Sequence, residues 1–459
     1  QNRQLEFQAA QARTDTDLRL NGLAQQQQAT NDALASASIE AGETGILAAG
    51  GNSGTITNAG SIKAGEAGIS AGLSQDFRSA SPEAITTEST TLANSGTITN
   101  AAGASIEAGS TGILAAGENS GTITNAGSIK AESIGVLVGS ESLLMAGAES
   151  DDAESVPVVT NSGTITNAAG ATIDAGTVGV LVAGENAGAI TNAGSIKALG
   201  GIAVLADNSG TITNTGHIEA VVAGALIAAN SGTFTNALGA SIVAESLGVF
   251  ISNDSEILTN AGDITAGGAG IVVGGDATTL QNSGNITVTA TNARAIFVAG
   301  SATTLDNSGT ITSAGHGIMV GGDVGSFTNS GTITTTGGEN TAAVRVLGKV
   351  TGSVLNSGTV SSNAGGVEII GAVAGDVTNT GKIEAVSTGL AFVGAGTGNL
   401  VNSGTIVATE SAALQVGGSI KDITNSGTIS GTAGVMVFGE VTGALTNSGT
   451  ITATGADGG

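Results

Sequence analysis

The chain has 459 residues and a formal net charge of −25, from 37 acidic and 12 basic side chains. This acidic balance argues against nucleic acid as a partner, because phosphate backbones bind basic surfaces. A hydrophobic share of 40% with only two prolines argues against a disordered chain. The absence of cysteine excludes disulfides, and no apolar run is long enough for a transmembrane helix, so we expect no membrane insertion.

Residues 1–35 are rich in glutamine and lack the repeat that follows. Leu5 and Phe7 alternate with polar residues and predict an extended stretch, whereas the segment that begins at Leu23 favours a helix. We interpret 1–35 as a partly helical arm that either caps the first coil or binds another subunit. Because the chain begins with Gln1, we expect that a signal peptide has been removed; a boundary inside a longer chain is the alternative.

From about residue 36, the motif Asn-x-Gly-x-Ile recurs, mostly at intervals of 22 to 25 residues. Each repeat contains three short stretches that alternate apolar and polar residues, which is typical of strands. Examples are Thr55-Ile56-Thr57, Ser61-Ile62-Lys63 and, in a later repeat, Gly112-Ile113-Leu114-Ala115. The repeated Asn and Gly are predicted to supply left-handed backbone conformations at the corners.

This pattern predicts an all-β fold, a single parallel β-solenoid domain over residues 36–459. One coil has three strands in about 22–23 residues, and about 17 coils stack at roughly 4.8 Å each. No repeat can bury its isoleucine alone, so stacking is what forms the core. Two longer intervals indicate inserted segments at about 74–91 and 140–158.

The last outward residue of the second strand changes sign from one coil to the next. Neighbouring coils would pair these charges, so the row is interpreted as a device that sets the register. This charge ladder comprises Glu40, Lys63, Glu107, Lys130, Asp174, Lys197 and Glu219.

The middle of the third strand is also predicted to face outward, yet it is apolar over many coils. Such a stripe needs a cover, for which the inserted segments and a neighbouring chain are equal candidates. An error in the inward or outward phase is the third interpretation. The lateral apolar stripe comprises Leu47, Leu114, Leu137, Leu181, Leu226, Phe250, Phe297 and Met319.

The repeat continues to Ile451 near the C-terminus. An open coil is a template for another chain, so Leu445 and Ile451 are candidate interface residues for head-to-tail stacking. A fragment cut from a longer chain is the alternative.

We predict no catalytic, cofactor-binding or metal-binding residue, and therefore no enzyme. The two histidines, His217 and His316, fall in unrelated rows, and no nucleophile or phosphate-loop motif is present. The acidic segment Glu149-Ser-Asp-Asp-Ala-Glu154 leaves weak Ca²⁺ binding open. Ice binding through Thr-x-Thr pairs and glycan cleavage are remote alternatives; the latter usually needs aromatic residues that stack on sugars, and Trp and Tyr are absent.

The Asn-Ser-Gly-Thr-Ile-Thr-Asn-Ala-Gly-Ser-Ile repeat resembles the passenger regions of bacterial autotransporters and related surface adhesins, over residues 36–455. The resemblance implies a right-handed β-helix outside a Gram-negative cell. The composition is also similar to that of bacterial surface-layer proteins.

These observations predict a secreted bacterial structural protein, located extracellularly or at the cell surface. It would form a filament or biofilm matrix in which its main partner is itself, stacked head to tail. Cell-surface or matrix polysaccharide is a further candidate partner. The alternative is a monomeric adhesin passenger that binds a surface or host ligand.

Overall fold

The computed structural model describes residues 18–19, 38–72, 93–139 and 159–455. None of these residues is helical, and their strands pair in parallel with the equivalent strands one repeat away. The predicted all-β parallel β-solenoid is therefore confirmed. The chain divides into two compact units, Gln1–Ala228 and Ala229–Gly459, and the strand His217–Asn236 contains the boundary.

The first unit repeats three strands, which we number as in the sequence motif. The first strands are Thr55–Asn58, Thr97–Asn100, Thr122–Asn125, Thr164–Asn167, Ala189–Asn192 and Thr211–Asn214. The second strands are Ser38–Ala41, Ser61–Ala64, Ser105–Ala108, Ser128–Ala131 and Thr172–Ala175. The third strands are Leu18–Arg19, Ile46–Ala48, Ala67–Ala71, Thr111–Ala115, Ile134–Val138 and Val178–Val182. Two further short strands are Thr160–Asn161 and Glu185–Asn186.

The core of the first unit is a stack of like residues, because each strand pairs in register with its counterpart. Ile123 lies beside Ile98, and Ile129 lies beside Ile106. All four side chains are at most 1% exposed. A narrow interior filled by stacked isoleucines explains why the chain needs no tryptophan or tyrosine.

The second unit repeats the same three strands. Its first strands are Ser255–Asn260, Ala277–Asn282, Ala302–Asn307, Val324–Asn329, Val354–Asn356, Val377–Asn379, Asn399–Asn402, Asp422–Asn425 and Leu445–Asn447. The second strands are Ser241–Ala244, Asp263–Ala266, Asn285–Val288, Thr310–Ser313, Thr332–Thr335, Thr359–Ser362, Lys382–Ala385, Thr405–Ala408, Thr428–Gly431 and Thr450–Ala453. The third strands are Leu247–Ile251, Ala269–Val273, Arg294–Val298, His316–Val320, Ala342–Val346, Gly365–Ile369, Leu390–Phe392, Ala412–Val416 and Ala433–Val437.

Larger residues enter the core of the second unit at the first strand. Leu305 and Phe327 occupy adjacent coils in register and are 1% and 2% exposed. Two corners in this unit contain the left-handed residues Asn292 and Asn340. Each corner lies just before a third strand, Arg294–Val298 and Ala342–Val346 respectively.

Three short strands per coil is not the pattern everywhere. Ser195–Asp207 runs through a corner without interruption, as His217–Asn236 does. In the first of these, the backbone N–H of Gly200 donates to the carbonyl of Thr177 at 2.8 Å. The inter-coil pairing therefore continues around the bend.

The N-terminal arm is described only at Leu18–Arg19, whose backbone pairs in parallel with Ile46 and Leu47. This short strand occupies the otherwise open edge of the third strand of the first coil. The candidate interface residues Leu5, Phe7 and Leu23 lie outside the described residues, as do the predicted helix and the inserted segments at about 74–91 and 140–158.

Candidate assembly surfaces

The repeated asparagine is a buried hydrogen-bonding residue, which corrects the prediction that it supplies left-handed corners. Among the residues that the structure describes, the only non-glycine residues with positive φ are Asn292 and Asn340, and neither belongs to the repeat column. Asn329, a typical column member, is 0% exposed. Its side-chain Nδ2 donates to Asn356 Oδ1 at 2.7 Å, and Asn307 donates to it at the same distance.

These amides form an oriented ladder in each unit. From Asn58 to Asn214 and from Asn236 to Asn447, the Nδ2 of each member donates to the Oδ1 of the next, so a coil has a donor side and an acceptor side. The distances are 2.8–2.9 Å in the first unit. They are 2.7–2.8 Å in the second. The members are Asn58, Asn100, Asn125, Asn167, Asn192 and Asn214 in the first unit, and Asn236, Asn260, Asn282, Asn307, Asn329, Asn356, Asn379, Asn402, Asn425 and Asn447 in the second.

A second asparagine ladder in the first unit was missed by the sequence analysis. Asn94 and Asn119, both 0% exposed, pair side chain to side chain at 2.6 Å. The signal was present, since each member stands six residues before a member of the first ladder in a run Asn-x-Gly-x-Ile-Thr-Asn. Members of the second ladder are Asn52, Asn94, Asn119, Asn161, Asn186 and Asn208.

The glycines of the repeat are required by close approach rather than by positive φ. A Cβ atom on Gly331 would lie 2.0 Å from the carbonyl oxygen of Gly309 in the preceding coil. Gly309 has the same relation to Gly284. These glycines let the backbones of successive corners stack directly.

The last described coil shows which groups a coil offers to its neighbour. Leu445 and Ile451 are 53% and 37% exposed. They pair with Ile423 and Ile429, which are 1% and 0% exposed. Asn447 accepts from Asn425, and its own Nδ2 donates only locally, to the carbonyl of Gly449 at 3.3 Å.

The charge ladder is exposed and stacked in the order of the sequence. Direct register pairs join Glu40 to Lys63, Lys63 to Glu107, Glu107 to Lys130, Lys130 to Asp174 and Asp174 to Lys197. At the two ends of the row, Lys63 lies 4.0 Å from Glu40, and Lys197 lies 2.7 Å from Glu219. This last pair raises the pKa of Lys197 and lowers the pKa of Glu219, in each case mainly through their hydrogen bond.

A groove of about 500 Å³ follows the middle of the ladder. Its charged lining comprises Lys63, Glu107, Lys130 and Asp174 of the ladder, together with Glu132. The rest of its lining is mostly alanine and glycine from the same coils, which leaves room for another surface to approach.

The apolar stripe has two different environments. In the first unit, Leu114, Leu137 and Leu181 are 4%, 0% and 1% exposed, and they form one cluster with Ile134 and Ala203. Leu47 is also buried, and Leu226 is half-buried beside the cluster. The inserted segments predicted as a cover lie outside the described residues, so that part stays a prediction.

In the second unit, the stripe is half-buried at Phe250, Phe297 and Met319. The guanidinium of Arg294 stacks over the ring of Phe297, 4.6 Å from its centroid, and its Nε donates to the sulfur of Met319 at 3.1 Å. Aromatic faces attract cations in this arrangement. The stripe here therefore carries a positive charge that sequence periodicity did not reveal.

Further along the same row, Arg345 and Glu368 form a partly buried ion pair at 2.6 Å. Arg345 also donates to the carbonyl of the left-handed Asn340 at 2.9 Å, which ties the enlarged corner to the strand. A groove of about 440 Å³ lies here, and Glu339, Asn363 and Glu410 contribute to its polar lining.

His316 is half-buried and lies near two arginines, Arg294 and Arg345. Its Nδ1 accepts a hydrogen bond from the backbone N–H of Ala342 at 3.1 Å. Burial, reinforced by the positive charges of Arg345 and Arg294, lowers the pKa of His316 below its ordinary value of 6.5. The other histidine, His217, lies in the first unit.

Within the described ranges, no three His, Asp or Glu side chains are grouped as a metal site, and no helix could cross a membrane. No family model, curated protein or solved structure matches this chain.

Proposed function

We propose that this protein is a secreted structural subunit that builds an extracellular filament or matrix by stacking its coils head to tail. The observation that carries the proposal is the polarity of the coil interface. Each coil presents amide donors on one side and amide acceptors on the other, with isoleucine rows between them. The donor side of the last described coil, at Leu445, Asn447 and Ile451, therefore complements the acceptor side of a coil in another copy.

The proposed joint takes its register from the strand order within one copy. Asn447 of one copy stacks on Asn58 of the next, and Ile451 stacks on Ile39. Asn447 then donates to Asn58 Oδ1, as Asn425 does to Asn447 within one copy. The backbone strand Leu18–Arg19 occupies the third-strand edge of the first coil. A joint that continues all three strands displaces it, which gives the N-terminal arm a controlling role.

Negative-stain electron microscopy of the full chain, with and without millimolar Ca²⁺, tests this proposal. We expect filaments of uniform width for the wild type and single particles for Ile451→Asp, because the substitution places a charge in the isoleucine row. Thr450→Asp adds the same charge in the outward row of the same strand and is expected to leave filaments intact. Single particles for the wild type under both conditions would contradict the proposal.

The second candidate function is a monomeric adhesin passenger, and the polar groove beside Arg345 and Glu368 favours it. Its carboxylates, amides and guanidinium match the hydroxyl groups of a polysaccharide. Binding of the protein to immobilised bacterial surface polysaccharide would test this function. We then expect Arg345→Ala to weaken binding and Lys421→Ala, outside the groove, to leave it unchanged; equal binding by all three proteins would exclude the groove.

A further inference from the structure

The charge ladder concentrates lysine in one row of a strongly acidic protein. Lys63, Lys130 and Lys197 are three of the six lysines in the chain, and each lies between acidic residues of the adjacent coils. All members of the ladder are exposed. Because its lysines alternate with acidic residues, the row is close to neutral, whereas the molecule carries a net charge of −25.

The internal ion pairs of the ladder lie only at its ends. In the part of the chain that the structure describes, no pair of 4.0 Å or less joins Lys130 to Glu107 or to Asp174, although both are its register neighbours. The central charges therefore keep their capacity for an external partner. Apart from the ladder residues and Glu132, the groove beside them is lined by alanine and glycine, which allows close approach.

The order of signs over six coils is self-complementary when the row is reversed. A two-fold axis between Glu107 and Lys130 brings Glu107 of one copy to Lys130 of the other. The same axis brings Lys63 to Asp174 and Glu40 to Lys197. Each of these six rungs then meets its opposite charge, whereas Glu219, the seventh member of the ladder, lies beyond the paired set. The groove lies over this axis because its lining includes the four central rungs.

We propose that the charge ladder is a lateral interface through which two copies of this chain pair side by side in antiparallel orientation. An isologous contact of this kind closes after two copies. It is independent of head-to-tail stacking, because the ladder side chains point outward from the coils, whereas stacking uses the unpaired edges of the strands. Such a contact would join two filaments or two single chains.

The long-range repulsion between two chains of charge −25 opposes the contact. At physiological ionic strength, this repulsion is screened beyond about 8 Å, whereas directly opposed charges are screened less. Charge complementarity then decides the orientation of the pair more than its strength. We therefore expect a weak dimer that is sensitive to the signs of the ladder.

Charge exchange within the ladder tests the proposal by sedimentation velocity at 0.15 M salt over a range of concentrations. One variant carries Lys63→Glu, Lys130→Glu and Lys197→Glu; the other carries Glu40→Lys, Glu107→Lys and Asp174→Lys. We expect the dissociation constant of the dimer to be at least roughly tenfold higher for each variant alone than for the wild type. An equimolar mixture of the two is expected to recover the dimer, because opposite charges face each other again.

The matched control changes the other three lysines, as Lys349→Glu, Lys382→Glu and Lys421→Glu. It alters the net charge by the same amount as the acidic ladder variant and is expected to dimerise like the wild type under these screened conditions. All proteins also carry Ile451→Asp, which removes stacking, so failure of the lateral pair and failure of the stack are distinguishable. The proposal would be overturned if the protein with the wild-type ladder stayed monomeric, or if the mixture of the two charge variants did not associate.

Discussion

The asparagine that ends each first strand before the last described coil is buried, because its amide can hydrogen-bond with the amides of the adjacent coils. One coil supplies an acceptor, the other a donor, and the ladder leaves no interior amide without a partner along its length. An amide in an apolar interior is costly when unpaired, and each rung depends on the next for that reason.

We predict that Asn329→Ala destabilises the second unit by about 2–4 kcal/mol. The substitution leaves the Nδ2 of Asn307 and the Oδ1 of Asn356 without their ladder partner in a buried row. The midpoint of urea unfolding measures the loss. Asn363→Ala is the control, because that side chain is exposed and makes only a long bond to the carbonyl of Thr336, at 3.4 Å; equal losses for the two variants would contradict the buried ladder.

Glycine is required at the stacked corner because there is no room for a Cβ atom between the backbones of successive coils. We predict that Gly331→Ala lowers the free energy of unfolding by about 1–3 kcal/mol, because its Cβ would overlap the backbone oxygen of Gly309. Gly338→Ala is the matched substitution, since its Cβ would have no atom within 4 Å. Thermal unfolding of both variants decides the point, and the argument fails if Gly331→Ala is as stable as Gly338→Ala.

At the scale of the elements, the third strands of the second unit combine structure with a surface. Arg294 and His316 are register neighbours. Met319 and Arg345 are also neighbours in register, in the outward row. The enlarged corners at Asn292 and Asn340 precede the strands that carry the two arginines. At this surface, the outward side chains differ from one coil to the next instead of repeating.

We predict that stability falls as the pH is lowered from about 7.5 towards 5.5, in part through His316. Its pKa is lowered in the folded protein, so the unfolded chain binds a proton near the ordinary value of 6.5 that the folded chain excludes. The stability that the neutral His316 contributes is fully present above the unfolded pKa and is lost as the pH falls through the folded pKa. The urea midpoint should depend less on pH in His316→Asn, which retains an acceptor; an unchanged dependence would exclude this histidine as a cause.

At the scale of the whole molecule, each coil is stabilised by the two coils that flank it. Repeat architectures of this kind lose structure locally, because contacts join only neighbouring repeats. The two compact units each contain such a series.

We predict that Ile333→Ala increases amide hydrogen exchange in its own coil and in the flanking coils of the second unit. Ile333 is 0% exposed and pairs with Ile311 and Val360, and removal of its buried atoms costs about 2–5 kcal/mol. Exchange around Ile406, several coils away, should change little. Thr332→Ala, in the outward row of the same strand, serves as the control; a uniform increase throughout the unit would indicate a single cooperative block instead.

The spacing of apolar residues determined the fold by itself, because isoleucines at fixed intervals can be buried only when equivalent strands stack. The alternating signs from Glu40 to Lys197 indicated the register, since a wrong alignment would scramble the alternation. The role of the repeated asparagine was not predictable in the same way. An asparagine two residues before a glycine is typical of a turn, and only the neighbouring coil supplies the partner that makes burial favourable.

The tertiary structure alone decided the environment of the outward row. Leu137 and Phe297 occupy the same position in the repeat, yet Leu137 is 0% exposed and Phe297 is half-buried under Arg294. The groove along the ladder and the pairing of Arg345 with Glu368 also depend on residues of several coils. Periodicity reports which face a side chain takes, whereas burial and partners depend on what the rest of the chain places over that face.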